Sequence, residues 1–154
     1  MSGDATGANS LVTAINQVIT AGGTVSTNAP VGTTVTLKGF NNDYVTSENG
    51  ASPMQCNAAV ASGWEKYLVV DAGHGKVALQ NLSKYVSSED GASSITCNRT
   101  TYGTWEMFDW ITLSTGQVTL RSTNGLFISS ENGTKAMTCT RTSASGWEAF
   151  GVNQ

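Results

Sequence analysis

The chain has 154 residues, a formal net charge of −3 and only 12% charged residues, with 17 glycines against 2 prolines. That length supports one domain with a real core, and a polar surface of Thr, Ser, Asn and Gly suits short strands and turns rather than solvated helices. No basic run exists to neutralise phosphate, which argues against nucleic acid as a partner, and no apolar stretch approaches the roughly 18 residues of a membrane span.

The chain opens Met1-Ser2-Gly3-Asp4, with no basic segment leading into an apolar one, so no signal peptide is read. Two readings follow: a chain made without a leader, which would be cytoplasmic, or an excised, extracellular module carrying an added Met. Residues 1–33 are read as an N-terminal extension or linker. Within it Leu11, Ala14, Ile15, Val18 and Ile19 recur at helical spacing over Ser10 to Ala21, with Asn9 or Ser10 as the N-cap and Gly22-Gly23 as the stop. Thr24 to Thr33 is expected to be extended.

From Thr34 onward the chain repeats itself three times. Val35-Thr36-Leu37, Val77-Ala78-Leu79 and Val118-Thr119-Leu120 open the units. Each continues with Tyr44-Val45-Thr46-Ser47-Glu48-Asn49-Gly50, Tyr85-Val86-Ser87-Ser88-Glu89-Asp90-Gly91 or Phe127-Ile128-Ser129-Ser130-Glu131-Asn132-Gly133, and then with a cysteine, Cys56, Cys97 or Cys139. Each closes on Trp64-Glu65-Lys66-Tyr67, Trp105-Glu106-Met107-Phe108 or Trp147-Glu148-Ala149-Phe150, at a period of 41 to 42 residues. The repeats run over 34–74, 75–115 and 116–154.

Each unit reads as four strands, in the second unit Lys76–Gln80, Lys84–Ser88, Ser94–Arg99 and Glu106–Thr112. Asn49-Gly50, Asp90-Gly91 and Asn132-Gly133 are strong hairpin signals between the second and third of these. Twelve strands in three units, with no helical period inside any unit, predict an all-β fold with pseudo-threefold symmetry: a β-trefoil over residues 34–154. A propeller has a similar repeat length, but three blades fall short of its usual minimum of four.

The cysteines are odd in number and occupy equivalent positions, so they do not form a disulfide framework. Alternation in Met54/Cys56, Ile95/Cys97 and Met137/Cys139 points to small buried side chains. There is no CxxC pair and one histidine, His74, in the turn Gly73-His74-Gly75, which leaves no zinc site and no base for a Ser or Cys nucleophile. No metal or other cofactor is expected.

The triplicated Trp-Glu-x-aromatic signature carries the functional question. If Tyr67, Phe108 and Phe150 point inward, alternation turns Glu65, Glu106 and Glu148 the same way and throws Trp64, Trp105 and Trp147 outward. One reading packs each Trp beneath a neighbouring loop. The other makes it a stacking platform for the C–H face of a sugar ring, with a nearby carboxylate accepting hydroxyl hydrogen bonds. Two acid sets are candidates: Glu48, Glu89 and Glu131 at a reachable strand end, and Glu65, Glu106 and Glu148, which also suit capping of the turn's backbone amides. Asn57, Asn98 and Thr140, then Ala58, Arg99 and Arg141, vary among the units and are read either as site-lining groups or as solvated strand faces.

The run Tyr-Val-Ser-Ser-Glu-Asp/Asn-Gly, then Cys-Asn-Arg-Thr, then Gly-x-Trp-Glu-x-Phe resembles the fascin-like and carbohydrate-binding β-trefoils found beside glycoside hydrolases, carbohydrate-binding module family 92 in particular. The resemblance covers residues 34–154. It implies non-catalytic binding of β-glucans at up to three sites, each built on a Trp and an acid, and allows a glycoside hydrolase domain as a neighbour in a parent protein. The Gln-x-Trp signature of ricin-type trefoils is absent. Glycoside hydrolysis needs two carboxylates in unlike settings, whereas every acid here has two symmetry copies, so no enzyme is expected. The alternative function is a fascin-like, actin-binding interaction module, though the 8 Lys and Arg form no patch. Asn81, Asn98 and Asn132 head glycosylation sequons that matter only in a eukaryotic secretory path.

Overall fold

The structure is a computed structural model and describes residues 29–153; the helix expected over Ser10 to Ala21 lies outside them. Each unit supplies four strands. The first gives β1 (Thr34–Lys38), β2 (Tyr44–Thr46), β3 (Gln55–Ala58) and β4 (Tyr67–Gly73). The second gives β5 (Lys76–Asn81), β6 (Lys84–Ser87), β7 (Thr96–Arg99) and β8 (Phe108–Thr112). The third gives β9 (Val118–Ser122), β10 (Phe127–Ser129), β11 (Thr138–Arg141) and β12 (Gly151–Asn153).

The first and fourth strands of the units close a six-stranded antiparallel barrel: β12 on β1, β1 on β4, β4 on β5, β5 on β8 and β8 on β9. A bridge between Val118 and Phe150, just ahead of β12, shuts the ring. Closure leaves the barrel without an exposed edge. The hairpins β2–β3, β6–β7 and β10–β11 form the cap. This is the β-trefoil that the repeat predicts.

The symmetry is chemical as well as topological. Val35 pairs across strands with Tyr67, Val77 with Phe108 and Val118 with Phe150, one aromatic–β-branched pair per unit. All three aromatics are fully buried. Beneath the cap the backbones of Met54, Ile95 and Met137 hydrogen-bond head to tail around the axis, at 2.9, 3.0 and 3.0 Å. Cys56, Cys97 and Cys139 fill equivalent buried positions as free thiols. Burial raises the first two from 9.0 to about 11, and the third in the same direction.

Two local features differ from the expected strands. The Trp-Glu pairs are not strand residues; they form short 3-10 turns at Gly63–Glu65, Thr104–Glu106 and Gly146–Glu148, and the fourth strands begin after them. The Asn/Asp-Gly pairs do not sit in two-residue hairpin turns either. Glu48, Asn49 and Gly50 are consecutive left-handed residues with φ of 56°, 54° and 75°, and the other two units repeat this. The preceding Thr/Ser and Ser hydroxyls accept from the backbone N–H groups of the Glu and the Asn or Asp, at 2.9 to 3.2 Å. The glycine is required for a second reason. A Cβ on Gly50 would lie 2.8 Å from the carbonyl oxygen of Cys97, one on Gly91 2.9 Å from that of Cys139, and one on Gly133 2.7 Å from that of Cys56. Each loop thus packs down on the next unit's third strand.

Candidate functional site

Each Trp-Glu turn is built the same way. The Glu carboxylate folds back to accept the backbone N–H at the start of its own turn: Ser62 to Glu65 at 2.8 Å, Gly103 to Glu106 at 2.8 Å, Ser145 to Glu148 at 2.9 Å. That capping satisfies an otherwise orphaned donor and lets the acid be buried. With the Glu turned in, the indole is turned out. Trp64, Trp105 and Trp147 remain 44%, 41% and 37% exposed. Each turn is anchored to the cap loop of its unit, because the Trp carbonyl accepts the N–H of Ser47, Ser88 or Ser130 at 2.8 to 2.9 Å.

The cap loop brings the second acid alongside. In the second unit Arg99 joins the two: its Nη2 lies 2.9 Å from Glu89 and its Nε 4.0 Å from Glu106. In the third unit Arg141 does the same, 2.8 Å from Glu131 and 3.7 Å from Glu148. Thr96 and Thr138 add hydroxyl bonds to Glu89 and Glu131. Glu131 is buried and Glu89 half-buried. In the first unit Ala58 replaces the arginine and Gln55 the threonine, and the Glu48 carboxylate makes no hydrogen bond or ion pair among the described residues. Charge-assisted hydrogen bonds from Nη2 to the cap-loop acid fix geometry, and the longer Nε contacts are ion pairs, so two of the three Trp–Glu–Glu constellations are braced and one is not. In the second and third units the two sequence-named acids therefore meet on one arginine, Arg99 or Arg141; in the first, nothing among the described residues links Glu48 to Glu65.

The third unit's site extends further. A cleft of about 480 Å³ is lined by Arg141, Thr142, Ser143, Ser145, Gly146, Trp147 and Glu148, and by Phe40 from the first unit. Phe40 is 62% exposed yet lies close against the third unit's turn; a Cβ on Gly146 would come within 3.0 Å of its ring. Sequence repetition hides Phe40, because its counterparts Leu82 and Thr123 are not aromatic. The signal that would have revealed it is an unmatched aromatic in a turn. Of the sequon asparagines, Asn81 is buried and donates to the carbonyls of Gly63 and Lys66 at 2.8 Å each, so it is no glycan acceptor in the folded domain. His74 is an exposed turn residue. Among the described residues no cluster of His, Cys, Asp and Glu could hold a metal ion, and no helix is long and apolar enough to cross a membrane.

No protein-family model and no curated protein sequence matches the chain. Solved structures do match it in shape. A designed threefold-symmetric protein, ThreeFoil, superposes with a TM-score of 0.70 at 14% identity, over 79% of this chain and 98% of its own. SeviL, solved bound to asialo-GM1 saccharide, gives 0.67 at 7% identity, over 79% and 96%. An exo-β-1,3-galactanase from Clostridium thermocellum gives 0.68 at 14% identity over 84% of this chain, which spans 32% of the galactanase. At these identities the likeness is one of fold: the chain is a β-trefoil similar in architecture to these three.

Proposed function

We propose that the domain binds carbohydrate without catalysis, as a multivalent module for a polysaccharide of β-glucan type. The observation that carries this reading is the three half-exposed indoles, each held outward on a 3-10 turn capped by its own Glu, with a second acid joined to it by arginine in two of the three units. Exposing a Trp three times over has no packing benefit. A rigid apolar face ringed by hydrogen-bonding groups is what a pyranose requires, apolar on its C–H face and polar at its edge. In the braced units both acids are engaged by the arginine and one by the turn amide, so they serve as framework and edge acceptors rather than as a free acid and nucleophile. The saccharide bound by SeviL is compatible with this reading, and the galactanase of which the fold is one third supports an attached glycoside hydrolase as the parent context.

One stacked sugar leaves little surplus after the entropy of association, so each site is weak alone, and three on one rigid body gain by effective concentration on a polymer. Retention on insoluble β-glucan should therefore far exceed affinity for a short oligosaccharide of the same linkage. Changing Trp64, Trp105 or Trp147 singly to Ala should lower retention stepwise, and the triple variant, folded by circular dichroism, should not be retained. A folded triple variant that still binds would place the ligand elsewhere.

A further inference from the structure

We infer that the three sites are not equivalent: the seam between the third and first units forms a two-walled cleft in which Phe40 and Trp147 together hold a neutral saccharide, making this the domain's primary site. The inference rests on the carbohydrate-binding reading above and ranks its sites.

The asymmetry is physical. Each turn after a unit's first strand neighbours the Trp-Glu turn of the unit before it. Asn81 reaches the Gly63 carbonyl at 2.8 Å, Thr123 reaches the Thr104 carbonyl at 2.9 Å, and Phe40 lies on Gly146. Asn81 closes β5; at Phe40's own place the second unit has Leu82, an exposed aliphatic, and the third has Thr123, a polar tie. Only the first unit puts an aromatic ring there, 62% exposed at the mouth of a cleft of about 480 Å³, a volume in the range of small-ligand pockets. Gly146 matters because it has no side chain to push the ring away, whereas the second unit has Thr104 at that place. What sets Phe40 apart from a single exposed apolar side chain is that it shares the cleft with a second exposed aromatic, Trp147.

The lining fixes the ligand chemistry. Two aromatic side chains supply apolar area, Thr142, Ser143 and Ser145 supply hydroxyls, and Arg141 supplies donors. The charged residues lining the cleft are Arg141 and Glu148, one cation against one acid, and Glu131 pairs with the same arginine. With its cation already paired, the lining offers no free counter-charge to uronic acids or sulfated sugars and suits a neutral one.

The test uses the indole N–H signals of 15N-labelled protein, titrated with a tetrasaccharide cut from whichever β-glucan retains the wild type. The chain has 4 tryptophans; Trp110 is buried and serves as the silent reference. Trp147 should respond at the lowest ligand concentration, with Trp64 and Trp105 following. In Phe40→Ala the Trp147 midpoint should rise roughly 3- to 10-fold, the worth of one aromatic contact, while the other two hold still. Gly146→Val, which displaces the ring by another route, should do the same. Sulfating the tetrasaccharide should weaken the Trp147 response. Equal midpoints for the three tryptophans, or no change in Phe40→Ala, overturn the inference while carbohydrate binding stands. Failure of the wild type to be retained on any polysaccharide overturns the parent reading.

Discussion

Around the threefold axis the units are chemically interchangeable: Val35 on Tyr67, Val77 on Phe108 and Val118 on Phe150, with the Met54, Ile95 and Met137 backbones closing a ring between them. At the rim they are not. Arg99 and Arg141 have Ala58 as their counterpart, and Phe40 has Leu82 and Thr123. The difference follows from what each region touches. Axis residues of one unit pack on the other two, so a change in one is felt by all three. A rim residue answers only to its own loop and the turn beside it, and is free to diverge. Packing enforces the repeat; the rim is where it relaxes.

The largest break should come at the axis. Phe108→Ala removes a fully buried ring from the core cluster that all three units share, and large-to-small core changes of this kind cost about 3–5 kcal/mol. In urea the loss should appear as one cooperative transition at lower midpoint, since no unit has a core of its own. Two separate transitions would mean that the units fold independently.

That same division sets what the sequence could reveal. The 41- to 42-residue period and the Val-x-Leu and Trp-Glu-x-aromatic landmarks predict the axis, because each is a local pattern repeated under one packing constraint. Asn49-Gly50 signals a hairpin because Asn-Gly favours positive φ in a two-residue turn and in a longer left-handed run alike; the close approach of Gly50 to the Cys97 carbonyl, which decides its form, is a contact between units. Outward tryptophans followed from alternation, although the Glu is buried by capping a 3-10 turn rather than by strand geometry. Phe40 stayed hidden because it breaks the repeat and meets the third unit only in the closed barrel.

An alkaline titration tests the axis more gently. Burial holds Cys56 and Cys97 at about 11 when folded, against 9.0 unperturbed, and pushes Cys139 the same way. Unfolding then releases protons between those values, so stability is intact below pH 9 and falls as pH rises toward 11, by about 1 kcal/mol per thiol for each pH unit. Denaturant midpoints at pH 8 and pH 10 should differ accordingly, and a Cys56→Ala/Cys97→Ala/Cys139→Ala variant should flatten the slope. An unchanged slope in that variant assigns the alkaline loss to Tyr67, which burial also raises.

Breaking a rim brace should have a smaller and more local effect. Arg141→Met leaves Glu131 and Glu148, both buried, facing an apolar stem. The arginine itself is partly exposed and its pairs screened, so the expected loss is about 1–2 kcal/mol rather than that of a fully buried ion pair. The Trp147 indole signal should shift, with those of Trp64 and Trp105 unmoved.

The reverse experiment supplies the brace that the first unit lacks. Ala58 occupies the strand position of Arg99 and Arg141, and Glu48 has no side-chain partner among the described residues while Glu65 caps its turn through Oε1. Ala58→Arg, joined by Gln55→Thr to restore the hydroxyl that Thr96 and Thr138 provide, should place a guanidinium between two carboxylates now lacking one. A surface bridge of this kind contributes up to about 1 kcal/mol, read as a modest rise in denaturation midpoint that added salt erodes. The Trp64 indole signal should move toward that of Trp105 if the missing arginine is what sets the first site apart. A variant that is no more stable, with Trp64 where it was, would locate the asymmetry in the cap loop backbone instead of in the side chain at position 58.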